Sequence, residues 1–314
     1  MKPDMAERAP ELDPEVRDLL VGMELPPRRA QTVEASRDAL DAVLIEDEPR
    51  TPIEQVKEFE IPVEEGGIAV RAYIPEPSGE MPVLVYYHGG GWVRGNVDTH
   101  DDLCRRMANA IGATVLSVDY RRAPEHPFPG PLLDAYAAIE WVDEYAELIG
   151  GDPTRIGVGG DSAGGNLAAA VSLMARDFDG PNLAVQLLLY PITNFAFDTA
   201  SYRENAEGYM LTRDGMRWYW EHYLTSSLDG YHPYASPLQA NSLEGLPEAV
   251  VVTAGYDPLR DEGAAYARRL AEDGTQVEHF HYPALHHAFL SFPDLSATDD
   301  AMTEISDRVG NALR

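Results

Sequence analysis

Lysine is nearly absent from this chain. Of its 24 basic residues only Lys2 and Lys57 are lysines, against 53 acidic residues, and the formal net charge is −29. A surface of that sign repels phosphate backbones, so nucleic acid is excluded as a partner. Anionic membrane surfaces are disfavoured by the same repulsion. No run approaches the roughly 18 apolar residues of a membrane span. The N-terminal MKPDMAERAPELDPE has no apolar core, so no secretory signal is expected. Cys104 is the only cysteine; no intrachain disulfide can form, and a cytoplasmic address is the simplest expectation.

What is present is a large core. Hydrophobic residues make up 44% of 314 positions, and a chain of this length buries about 75% of its unfolded surface. Two helical patterns open it. Asp13 is a candidate N-cap with Pro14 at the first helical position, and a second helix is expected near 29–46, with Val33, Leu40, Val43 and Leu44 on one face. Two strand-like runs, Val56–Val63 and Ile68–Ile74, flank Glu64-Glu65-Gly66-Gly67 and predict an antiparallel hairpin. Apolar runs then follow at Val83–Tyr87, Thr114–Val118, Arg155–Val158, Ala184–Leu189, Ala249–Ala254 and Val277–Tyr282. Helical patterns near 99–111, 131–148, 163–176 and 261–273 fall between most of them, and a last helix is expected near 297–312. Alternation of this kind predicts an α/β fold with a mostly parallel sheet covered on both faces. Residues 1–50 then form N-terminal cap helices and 51–314 the main domain. The aromatic-rich stretch 192–225 interrupts the rhythm after a strand end, where such sheets bind ligands. It is either a second part of the cap or an ordinary helical connection.

Gly160-Asp161-Ser162-Ala163-Gly164 matches G-x-S-x-G, between the run ending at Val158 and an alanine-rich helical stretch. That strand–turn–helix context makes Ser162 a candidate nucleophile on a tight turn. A serine needs a base, and on this scaffold an acid and then a histidine follow in the chain. Asp257 lies just past one apolar run and His287 just past the last, both at strand ends. Asp261 and His286 are their nearest competitors. His88-Gly89-Gly90-Gly91-Trp92 ends another strand and supplies flexible backbone donors. The N–H groups of Gly89 and Gly90, joined by that of Ala163, are expected to stabilise an oxyanion, with Trp92 lining a substrate pocket.

These stretches, with Asp119–Pro129, Tyr190-Pro191 and Asp257–Asp261, resemble the hormone-sensitive-lipase-like family of α/β-hydrolase carboxylesterases. The resemblance runs from about residue 56 onward in the family's order. It implies an eight-stranded, mostly parallel sheet with a helical cap, a triad of Ser162, Asp257 and His287, and the oxyanion donors Gly89, Gly90 and Ala163. It departs in two places. Ala288 stands where the family commonly has glycine, and Arg122 stands where it has an apolar residue. The acidic, lysine-poor composition resembles that of halophile proteins, for which molar salt screens self-repulsion; a plain compositional bias is the alternative.

The expected reaction is hydrolysis of short-chain carboxylic esters through an acyl-enzyme, with no cofactor. An amidase or deacetylase would use the same triad. A non-catalytic small-molecule receptor on this scaffold would lack the catalytic histidine, whereas His287 is present. Glu125-His126 is expected to be structural. His279 and His281 alternate on a strand without a completing ligand, so no metal is expected. The last run should form a sheet edge, an invitation to pair with a second copy as a homodimer.

Overall fold

The short apolar runs become strands because they are β-branched-rich and buried on both faces. The computed structural model describes residues 6–23, 26–45, 51–63, 66–76 and 79–314. In chain order the elements are α1 (Pro14–Gly22), α2 (Val33–Leu44), β1 (Gln55–Val63), β2 (Gly66–Ile74), β3 (Met81–Tyr87), α3 (Asp101–Ile111), β4 (Thr114–Asp119), α4 (Gly130–Tyr145), β5 (Gly151–Asp161), α5 (Ala163–Asp177), β6 (Leu183–Leu189), α6 (Ala200–Glu204), α7 (Arg213–Tyr223), β7 (Glu248–Tyr256), α8 (Arg260–Glu272), β8 (Val277–His286) and α9 (Ser296–Ala312).

The strands form one eight-stranded sheet in the order β1-β2-β4-β3-β5-β6-β7-β8. β1 pairs antiparallel with β2, and β2 with β4; every other pair is parallel. The expected hairpin is present, with Val63 opposite Gly66, while Glu64 and Glu65 of its turn lie outside the described residues. So do 1–5, 24–25 and 46–50 of the expected N-terminal segment. β8 is the sheet's edge, as expected.

One face of the sheet is covered by α4, α5 and α8, the other by α3 and α9. α5 is buried continuously from Ala163 to Ala175. Its run of alanines and glycines lets the helix lie close against the strands, so the turn before it is clamped from both sides. Fully burying one large apolar side chain is worth about 1.5–3 kcal/mol, and the registers of β3, β5, β6 and β7 depend on many such side chains.

The N-terminal helices start where capping chemistry dictates. Asp13 accepts hydrogen bonds from the N–H groups of Glu15 and Val16 at 2.8 and 3.3 Å, and Pro14 opens α1. The second helix begins later than the expected 29–46, because Thr32 caps it through Ala35 N–H at 3.1 Å. The residues before it make a short 3₁₀ turn at Arg28–Ala30. No helix among the described residues is long and apolar enough to cross a membrane.

Candidate active site

Parallel pairing aligns the carboxyl ends of the central strands. Tyr87 of β3 sits opposite Gly160 of β5, and Asp161 opposite Leu189 of β6. The loops that follow therefore meet above one edge. Ser162 is the hinge between β5 and α5, with φ 55° and ψ −113°, a region few side chains adopt. Its N–H donates to Leu189 O at 2.8 Å, which holds the turn to the next strand. Gly164 is required there: a Cβ would lie 1.8 Å from Tyr87 O. Such strain persists only where the surroundings over-determine it.

The sequence-predicted triad is brought together. Ser162 Oγ lies 3.0 Å from His287 Nε2, and His287 Nδ1 lies 2.7 Å from Asp257 Oδ2. The other Asp257 oxygen accepts Leu259 N–H at 2.8 Å. Asn205 Nδ2 donates to the Asp257 and Gly255 carbonyls at 3.1 and 3.2 Å, pinning that loop. The competing residues face elsewhere. His286 is fully buried, its Nδ1 turned to the His287 carbonyl, and burial pushes its imidazole down to about 4. Asp261 accepts Ser201 N–H at 2.8 Å and Arg260 Nε at 2.9 Å. Tyr190 stacks edge-on against the His287 ring, centroids 5.0 Å apart.

The expected oxyanion donors need one correction. Gly89 N–H is already committed: it donates to Asp161 Oδ1 at 2.8 Å and lies 3.2 Å from His100 Nε2. It cannot also serve an oxyanion. The N–H groups of Gly90, Gly91 and Ala163 donate no hydrogen bond among the described residues, and Gly90 and Gly91 line the cavity in which Ser162 sits. Asp161 is the fixed point behind this loop. Only 3% exposed, it accepts Tyr86 OH at 2.8 Å as well as Gly89, and His100 Nε2 stands 3.1 Å from the same oxygen. Burial raises its carboxyl, but the charge and hydrogen bonds of His100, with Tyr86 and His88, hold it below the usual carboxylate range. Sequence reading missed this role, although Asp161 was the unspecified residue inside the G-x-S-x-G match.

Trp92 is a second correction. It was expected to line the pocket, but it is fully buried behind the glycine loop. Its ring stacks on Tyr223 at 4.0 Å and tilts against Trp220 at 4.6 Å, and it is not among the cavity's lining residues. The cavity, about 90 Å³, is walled by Ser162, His287, the glycine loop, Met23, Ala39, Leu40, Val43 and Leu44 of α2, and Met210, Leu211 and Tyr219. Only part of 192–225 therefore reaches it; Trp218, Trp220 and Tyr223 are core.

Other singled-out residues have structural partners. Arg37 of α2 grips Glu125 through two hydrogen bonds, 2.7 and 2.8 Å, and the carbonyls of Val93 and Ala123. That grip holds the Glu125 carboxyl down at about 2 and ties α2 to the oxyanion loop. His279 and His281 both meet Thr253 Oγ1, at 2.8 and 2.9 Å. Among the described residues no cluster of three or more His, Cys, Asp or Glu is arranged to hold a metal.

Comparison with known proteins gives concordant matches. Residues 84–291 match a family described by the alpha/beta hydrolase fold. The chain is 41% identical over 294 residues to carboxylesterase NlhH of Mycobacterium tuberculosis, covering 90% of each. It is 36% identical to an arylesterase of Saccharolobus solfataricus, covering 91% of this chain and 94% of that one. Among solved structures, an ester hydrolase from the metagenome of Lake Arreo superposes with a TM-score of 0.91 at 42% identity, covering 96% and 98% of the two chains. A thermostable esterase from Pseudomonas putida superposes at 0.92 with 36% identity, covering 98% and 99%.

Proposed function

The chain belongs to the hormone-sensitive-lipase-like carboxylesterases of the α/β-hydrolase fold, and from that premise we propose how its own residues hydrolyse an ester. The observation that carries the reading is the unbroken relay from Ser162 Oγ through His287 to Asp257, at 3.0 and 2.7 Å. Ser162 attacks the ester carbonyl while His287 Nε2 takes its proton. Asp257 fixes the ring so that Nε2 is free to accept, and stabilises the imidazolium once formed. Charge develops on the carbonyl oxygen, where the free N–H groups of Gly90, Gly91 and Ala163 receive it. Each such donor is worth about 10²–10³ in rate. His287 then returns the proton to the leaving alcohol. Water, deprotonated by the same histidine, attacks the acyl-enzyme and releases the acid.

Stopped-flow mixing with 4-nitrophenyl butyrate tests the two-step route. A burst of nitrophenolate equal to one per chain, absent in Ser162→Ala, is expected where deacylation is the slower step. Full turnover in Ser162→Ala would overturn it.

The N-terminal helices and the reaching part of 192–225 act as the cap of this site. β8 ends the sheet; its Pro283 and Ala284 carbonyls accept Ala9 and Asp13 N–H, and the stretch before them suits pairing with a second copy, so light scattering that gave only a mass near 34.6 kDa would remove that assembly. The acidic, lysine-poor surface suits work in molar salt. A cytoplasmic address rests on the lone Cys104 and is tested by fractionating the source cells.

A further inference from the structure

In a chain with 53 carboxylates for 24 basic side chains, a buried cation should find a partner easily. Most do. Arg71 is held by Glu58, Asp98 and Asp101, Arg260 by Glu204 and Asp261, and Arg37 by Glu125. Arg94 is the exception at the site. It is only 8% exposed and faces the same cavity as Ser162. Among the described residues no carboxylate makes an ion pair with it. Among the described residues its Nη1 makes one long hydrogen bond of standard geometry, 3.4 Å to the Ser36 carbonyl, and its Nε has no such partner. Asp41 of α2 is near enough to be felt electrostatically but makes no ion pair with it. Burial pushes the guanidinium down to about 10, so it still carries its charge at neutral pH.

The surroundings of Arg94 repeat the pattern. Its Cζ stands 5.4 Å from the centre of the Tyr219 ring. The Tyr219 hydroxyl is buried beside the Arg94 guanidinium, which it stabilises, and its O–H donates to no acceptor among the described residues. That ring packs so tightly on Gly91 that a Cβ there would meet it at 2.3 Å, which sets Tyr219 and Arg94 directly beside the oxyanion loop. Arg28 lines the same cavity and also makes no ion pair among the described residues. Among the described residues the one carboxylate lining the cavity, Asp161, has its accepting oxygen taken by Tyr86 and Gly89. Leaving a buried charge without its counter-ion is costly. The cost is recovered when an anion enters, because charge-assisted bonds to a guanidinium are the strong ones.

We propose that Arg94, with Arg28 and the Tyr219 hydroxyl, forms a carboxylate-binding subsite, so that the preferred substrates are esters carrying a free carboxylate. This rests on the esterase reading above. The carboxylate comes from either side of the ester bond, a dicarboxylic acid monoester or a carboxylated alcohol.

Two pairs of substrates at fixed ionic strength test it. 4-Nitrophenyl hemiglutarate against 4-nitrophenyl pentanoate puts the charge on the acyl side. 4-Acetoxybenzoate against its ethyl ester puts it on the leaving side. In one pair the charged ester should have a kcat/KM at least about tenfold higher, mainly through KM, the scale of one charge-assisted hydrogen bond. Arg94→Gln should collapse that ratio, and Arg94→Lys should keep most of it. The wild-type ratio needs no variant, so a misfolded Arg94→Gln leaves the test intact. Turnover of the neutral esters with no preference for the charged one in either pair overturns the subsite alone. A preference that survives in folded Arg94→Gln also overturns it. No turnover of any of the four esters overturns the esterase reading and the subsite with it.

Discussion

Two histidines and two aspartates of similar sequence context end in opposite situations. His287 touches both Ser162 and Asp257, whereas His286 turns its Nδ1 to a backbone carbonyl. Asp257 holds the ring, whereas Asp261 serves Ser201 and Arg260. His287→Ala and Asp257→Asn should each lower kcat by about 10⁴ or more. His286→Ala and Asp261→Asn should cost far less, although both leave buried partners unsatisfied. Steady-state kinetics on one ester decides the assignment, and reversed severities would transfer the roles to the neighbours. Ala288 carries a different cost. It sits at φ 65° and ψ 22°, left-handed space that glycine enters freely. This gives a physical reason for the glycine expected there from the family pattern. Ala288→Gly should therefore leave the fold equally stable or stabilise it by up to about 1 kcal/mol, the left-handed penalty less the extra entropy of glycine. A denaturant melt showing a loss above that range would contradict the strain. That Ser162, His287 and Asp257 come within hydrogen-bond reach was legible in the sequence, because order and strand-end position are local signals. The commitment of Gly89 was not: its N–H is spent on Asp161, 72 residues away, and no local pattern records that contact.

At the scale of elements, a strained strand-to-helix turn and a set of aligned strand ends do the positioning. β5 and α5 fix Ser162, the turn after β7 fixes Asp257 and the turn after β8 fixes His287. The strands were legible as short apolar runs, and their C-terminal edge followed from the parallel alternation. The start of α2 was not, because a helical periodicity continues across Arg28–Ala30 and only Thr32 with its cap bond marks the true beginning. The place of Trp92 was equally hidden, since an aromatic next to a glycine loop can face the cavity or the core. Here Trp220 and Tyr223 of α7 occupy the core side and take Trp92 with them. What remains over Ser162 is a finite, mainly apolar cleft roofed by α2 and by Met210 and Leu211. Activity on 4-nitrophenyl esters should peak at acyl chains of about two to eight carbons, the size a closed pocket of this kind buries. Rates on emulsified long-chain triglycerides should be poor. A rate that rises at the interface of an eighteen-carbon triglyceride would show that the roof opens onto lipid.

For the whole molecule the dominant quantity is the net charge of −29. In dilute buffer, at about 0.01 M, the Debye length is roughly 30 Å, so carboxylates across the entire surface repel one another. Folding concentrates those charges, and the repulsion opposes the compact state more than the expanded one. At about 2 M salt the screening length falls to a few ångströms, and excluded salts also favour burial of the core. The unfolding midpoint and the ester rate should both rise across about 0.05–3 M KCl as this screening sets in; flat or falling curves would assign the acidic surface another cause. The relay itself is buried beneath that surface, with Ser162 7% and His287 5% exposed, so a reagent reaches the nucleophile only through the cavity. Labelling the intact chain with an organophosphonate and locating the adduct by mass spectrometry decides whether Ser162 is the nucleophile. One adduct per chain is expected, on Ser162, with matching loss of activity; an adduct on any other residue, or inactivation with Ser162 unmodified, would contradict that role.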